Sequence, residues 1–199
     1  MGRNPARNVS REHIAHLAAR LMAEDGIEDY ALAKRKAARQ AGAPDTRQLP
    51  DNDEIEAALK AYRGLYQRQH PAQLRELRQR ALALMKEFER FNPCLTGSVL
   101  NGSAGRFADI HLQLFAEPQK AVELELLNKG IRFDTGAVRL YAGDMPIDAG
   151  VLSFDRDAVT VHLTLLTPRE LRSRLKTSPG GKPLERANRE ALEKLLAEE

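Results

Sequence analysis

Cys94-Leu95-Thr96-Gly97-Ser98-Val99-Leu100, a short polar loop, and Ala108-Asp109-Ile110-His111-Leu112-Gln113-Leu114-Phe115 decide how this chain is read. The first run predicts a strand over 94–100 that carries Gly97-Ser98 into a turn. The second predicts a strand over 109–116. Successive side chains on a strand point to opposite faces, so Asp109 and His111 share one face while Ile110, Leu112 and Leu114 share the other. Glycine removes the Cβ that would block close approach, and a neighbouring hydroxyl and backbone N–H groups suit a phosphate. Acidic side chains two residues apart on the next strand suit the divalent ions that accompany a triphosphate, and a third carboxylate from a later strand would complete a two-ion clamp. In this chain the second of those positions is His111.

Outward from this segment the pattern divides near Pro93. Before it the periodicity is helical. Ser10 is expected to cap a first helix with Ile14, Leu17, Ala18, Leu21 and Met22 on one face, and Gly26 to stop it. A second helix is expected over 29–40. A third, capped by Asp51 or Asn52, carries Ile55, Leu59, Tyr62, Leu65 and Tyr66. His70-Pro71 interrupts, and a fourth helix holds the helical period from Leu74 to Phe91. After Pro93, two-residue alternation and β-branched residues predict strands near 94–100, 109–116, 131–133, 136–141, 147–154 and 158–166. A helix is expected over 118–128 with Gly130 as its stop. Thr167-Pro168-Arg169-Glu170 reads as the start of another, and 183–196 as the last. The expected organisation is an α+β chain: a helical domain over 1–93, then a mixed α/β domain over 94–199.

Composition narrows the classes. The 199 residues carry a formal net charge of +3, too mild to imply a nucleic acid partner by itself. The basic excess sits in the helical half. A single cysteine, Cys94, excludes an internal disulfide framework, and its apolar neighbours predict a buried structural thiol. No apolar run approaches the ~18 residues of a membrane span. The polar start Met1-Gly2-Arg3-Asn4-Pro5 lacks the apolar core of a signal peptide, so the expected location is cytoplasmic, with no membrane partner.

On Gly97-Ser98 and Asp109-Ile110-His111-Leu112, the chain resembles the nucleotidyltransferase fold superfamily, the group of DNA polymerase beta and the minimal nucleotidyltransferases. It is more closely similar to a bacterial family of predicted nucleotidyltransferases of unknown function. That resemblance extends to Ala33-Lys34-Arg35-Lys36-Ala37-Ala38 and to Gly181-Lys182-Pro183-Leu184-Glu185-Arg186-Ala187. It implies a nucleotidyltransferase-like mixed sheet flanked by helices. It implies transfer of a nucleoside monophosphate from a nucleoside triphosphate to an unknown acceptor, an RNA or a protein among them. Gly97 and Ser98 match the phosphate-facing pair, and Asp109 matches the first metal carboxylate. His111 stands at the second, and His162, in Val161-His162-Leu163, at the third. Asp148 is a weaker candidate for the third position.

Histidine changes the chemistry. Mg²⁺ prefers oxygen ligands in strict octahedral geometry, whereas imidazole suits Zn²⁺, Ni²⁺ and similar ions. Three readings stay open: nucleotidyl transfer is lost and nucleotide or acceptor binding kept; transfer proceeds with a single Mg²⁺ or Mn²⁺ ion; or Asp109, His111 and His162 form a softer metal site. The competing function is a catalytically inactive module that binds nucleotide, RNA or protein, with Lys34, Arg35, Lys36 and Arg39 as its basic helix. That cluster reads more simply as a solvated helix face, since no aromatic interleaving supports base stacking. Gly180-Gly181-Lys182 lacks the spacing of a phosphate loop. No Gly-x-Ser-x-Gly elbow surrounds Ser98. His13, His16 and His70 have no partner at a useful spacing and read as surface or packing residues.

Overall fold

The computed structural model describes residues 11–24, 27, 29–43, 49–66, 70–105 and 108–199. The cap expected at Ser10 and the stop expected at Gly26 lie outside the described residues. The chain forms two compact units, residues 1–71 and 72–199.

The first unit is helical, and its helix starts follow from capping chemistry. Asp29 opens α2 (Tyr30–Gln40), its Oδ1 accepting from the backbone N–H of Ala31 at 2.7 Å and of Leu32 at 3.1 Å. Asp51 opens α3 (Asn52–Tyr66) through a reciprocal box: Glu54 N–H donates to Asp51, and Asp51 N–H donates back to the Glu54 carboxylate. With α1 (Arg11–Glu24) these helices bury Ile14, Ala18, Leu21, Ala33, Ala37, Ile55 and Leu59 in one cluster. Leu65, expected on the buried face of α3, is exposed instead.

The boundary falls after Pro71, inside the first turn of α4 (His70–Glu87), so nearly all of this helix belongs to the second unit, whereas the break in periodicity comes at its far end. His70-Pro71 opens this helix, proline being tolerated in a first turn. A 3₁₀ turn at Glu89–Phe91 follows. Then come β1 (Cys94–Thr96), the short helix α5 (Ser98–Asn101), β2 (Ile110–Phe115), α6 (Lys120–Asn128), β3 (Asp134–Ala142), β4 (Met145–Arg156), β5 (Val159–Leu166), β6 (Leu175–Lys176) and α7 (Arg189–Glu198). The six strands form one sheet in the order β1-β2-β5-β4-β3-β6. β2 and β5 run parallel; every other pairing is antiparallel.

The alternation read from the sequence is the organising fact of this sheet. Leu95, Ile110, Leu112, Leu114, Val161, Leu163, Leu165, Leu152 and Phe154 all fall on one face. They pack in a single cluster with Leu77, Leu84, Met85 and Phe88 of α4, Val122 and Leu126 of α6, and Leu192 and Leu196 of α7. The opposite face carries Thr96, Asp109, His111, Gln113, Thr160, His162 and Ser153. Only one end of that face is apolar. There Phe115, Leu140, Ala149, Leu166 and Leu175 form a small separate cluster with Cys94, whose thiol is pushed up from its ordinary pKa by burial.

The structure corrects four expected boundaries. The strand expected over 94–100 ends at Thr96, and Val99-Leu100 are helical; short apolar runs do not distinguish the two. No strand forms at 131–133. Gly130 takes a left-handed φ of 67°, and Ile131 N–H returns to Leu126 O, so these residues close α6. The Thr167–Glu170 cap forms, with both the N–H and the hydroxyl of Thr167 on the Glu170 carboxylate. Only a 3₁₀ turn at Glu170–Arg172 follows it, because no apolar period continues. The last helix starts at Arg189 under an Asn188 cap, and Ala187 instead bridges the free edge of β1 at Leu95.

Candidate metal centre

Register builds the site. Thr96 of β1 lies opposite His111 of β2, His111 opposite His162 of β5, and His162 opposite Ser153 of β4. These four residues make one row across the open face. Asp109 precedes His111 by two residues and shares its side of the strand.

Within this row the side chains converge. His162 Nε2 lies 3.1 Å from Asp109 Oδ2. His162 Nδ1 lies 2.8 Å from Ser153 Oγ. The His111 and His162 rings stack with centroids 4.8 Å apart and planes 19° from parallel. One ligand atom from each of Asp109, His111 and His162 fits within a 4.8 Å group. Ligand atoms of a tetrahedral ion with ~2.0–2.1 Å bonds sit about 3.3 Å apart, so the Asp109–His162 edge is already of that size. Asp109 and His162 keep about a third and a quarter of their side-chain surface, so the cluster is reachable from solvent.

His111 is exposed on the open face, yet partial loss of water around its ring, then the neighbouring His162, lower the imidazole pKa from its ordinary value, against the pull of Asp109. A neutral imidazole is the form that ligates a metal ion. Two imidazoles and one carboxylate form a mixed N,N,O donor set, which fits Zn²⁺, Co²⁺, Ni²⁺ or Mn²⁺ better than Mg²⁺.

The Gly97 corner lies against this cluster. A Cβ at Gly97 would sit 3.6 Å from His111 Cδ2. Gly97 adopts φ 75° and ψ −158°, a region open essentially only to glycine, and caps α5. Its carbonyl accepts from Leu100 and Asn101, and the Ser98 carbonyl accepts from Gly102 and Ala104. Ser98, half-buried, is the first residue of that turn. The far end of α5 is held by Arg78 of α4. This buried guanidinium donates to Val99 O at 3.0 Å and Leu100 O at 2.7 Å, and pairs with Glu199.

Asp148 does not join the cluster. The alternation along β4 puts it on the face opposite Ser153, where it pairs with Arg139 of β3 at 2.7 Å. Sequence reasoning missed Ser153. It also missed Gln113, the next residue on the open face of β2, which is buried and whose Oε1 has no hydrogen-bond partner among the described residues. On α2, Ala33, Ala37 and Ala38 are buried while Arg35, Lys36 and Arg39 are exposed, as a solvated face requires. No helix of the described residues is long and apolar enough to cross a membrane.

Comparison with family models, with curated proteins and with solved structures found no match to this chain.

Proposed function

We propose that the open sheet face is a nucleotidyltransferase-related site that binds one divalent ion through Asp109, His111 and His162, with the phosphates of a nucleoside triphosphate at Gly97 and Ser98. The observation that carries this reading is the convergence of those three side chains beside the Gly97 corner. The residue types of the corner, and its resemblance to the phosphate-facing pair of that superfamily, support the nucleotide part. In the transfer this implies, an acceptor hydroxyl oxygen bonds to the α-phosphorus, its proton passes to solvent, and the bond to pyrophosphate breaks. The ion neutralises charge on the phosphoryl oxygens while the protein positions the groups. A single ion offsets less phosphate charge than a two-ion clamp, so binding is the dominant property and transfer is slow.

Calorimetric titration of the full chain tests this with Zn²⁺, Mn²⁺ and Mg²⁺, alone and with each of the four ribonucleoside triphosphates. The expected result is Zn²⁺ tighter than Mg²⁺, nucleotide binding that requires the ion, and loss of both in Asp109→Ala. Metal and nucleotide binding unchanged in that variant would overturn the reading.

A further inference from the structure

Resting on the metal reading above, we infer that Ser153 is a positioning residue. Its hydroxyl fixes Nδ1 of His162 and thereby presents Nε2 to the ion. His162 is held on three sides: Ser153 Oγ lies 2.8 Å from Nδ1, Asp109 Oδ2 lies 3.1 Å from Nε2, and the His111 ring covers one face. Ser153 and His162 are directly paired across β4 and β5, so backbone register sets their separation.

Proton accounting explains why a hydroxyl stands at this position. A neutral imidazole carries one N–H. While Asp109 accepts from Nε2–H, Nδ1 bears a lone pair and Ser153 must donate to it. Once an ion takes Nε2, the ring proton resides on Nδ1 and Ser153 must accept. A hydroxyl does both by rotating about its C–O bond, so the ring keeps its partner across the change of tautomer. An alkyl side chain does neither, and a carboxylate or an ammonium would fix one state.

A Ser–His–Asp chain is also how hydrolases activate a nucleophile. Here Ser153 lies in mid-strand, paired with His162 on one side and Asp134 on the other. The neighbouring backbone N–H groups belong to sheet ladders, so they supply no oxyanion hole. The geometry serves ring orientation.

Outer partners of metal-bound histidine are worth about 10- to 100-fold in affinity. The test uses Ser153→Thr and Ser153→Val, which are nearly the same shape, both suited to a strand, and differ in the hydroxyl. Full-length wild type and both variants are titrated with Co²⁺, followed by its visible absorption, and with Zn²⁺ in competition. Thermal melting of the ion-free proteins checks the fold. Wild type and Ser153→Thr are expected to bind within a few-fold of each other, and Ser153→Val about 10- to 100-fold more weakly. Nitrogen-15 spectra of zinc-loaded wild type should show His162 protonated at Nδ1. Equal affinity in Ser153→Val, or a proton at Nε2, overturns the role of Ser153 and leaves the metal site standing. Failure of wild type to bind either ion overturns both.

Discussion

The two faces of the sheet are made by the same strands and the same ladders, yet they share almost no chemistry. On β2 and β5, Ile110, Leu112, Leu114, Val161, Leu163 and Leu165 are buried under helices. Between them stand Asp109, His111, Gln113, Thr160, His162 and Thr164 on the other face. A period of two hands stability to one side and ligand chemistry to the other. The consequence is separability: a change on one face should alter one property and spare the other.

The strongest way to break that separation is from the apolar side. Leu163 is fully buried beside Leu112 and Leu152. Leu163→Ala should cost about 2–5 kcal/mol in denaturant unfolding, from lost transfer energy and the cavity left behind. Zn²⁺ affinity of the folded protein should stay within a few-fold of wild type, although His162 is the adjacent residue. A loss below about 1 kcal/mol would mean the site relaxes around the cavity, and a collapse in affinity would mean the faces are coupled.

A smaller effect tests the corner where backbone meets ligand cluster. At Gly97 an added Cβ makes only an ordinary contact with His111, so the cost of Gly97→Ala comes from backbone strain. That is about 1–3 kcal/mol for a residue forced into this region. The melting temperature should fall while Zn²⁺ binding persists. Full stability in the variant would show that the turn rearranges.

How far this division could be read from residues alone depends on what each signal measures. Ile110, Leu112 and Leu114 alternating with Asp109, His111 and Gln113 announce a two-faced strand without any partner. That Asp109, His111 and His162 should meet is implied only by the family resemblance, since a parallel crossover pairing of β2 with β5 leaves no local trace in the residues themselves. Ser153 carried no such signal. Asp157 and Ala158 form a two-residue turn with both φ positive, and counting back from it sets Ser153 opposite His162. Nothing in Asp157-Ala158 advertises that turn as Asn-Gly would. The limits of β1 escaped for another reason. Val99 and Leu100 are apolar in either a strand or a helix, and the ending at Thr96 is a property of the Gly97 backbone and of Arg78 holding the α5 carbonyls.

The smallest expected effect falls at Asp148, a residue that composition alone makes a rival ligand. It is acidic, it lies on the strand next to β5, and its carboxyl is held below the ordinary range by the hydrogen bond from Arg139. Register nevertheless places it on the opposite face from Ser153 and His162. Asp148 also lies five residues from Ser153 along β4, about 16 Å at about 3.3 Å per residue, so even a one-residue slip, which would turn Leu152 and Phe154 out of the core, would not bring its carboxylate to the cluster. An exposed pair of this kind contributes little, because water and salt screen it and two side chains must be ordered to form it. Asp148→Ala should therefore leave both the unfolding midpoint and Zn²⁺ affinity indistinguishable from wild type. A measurable drop in Zn²⁺ affinity would place a second carboxylate at the ion, and would count against the register that divides the two faces.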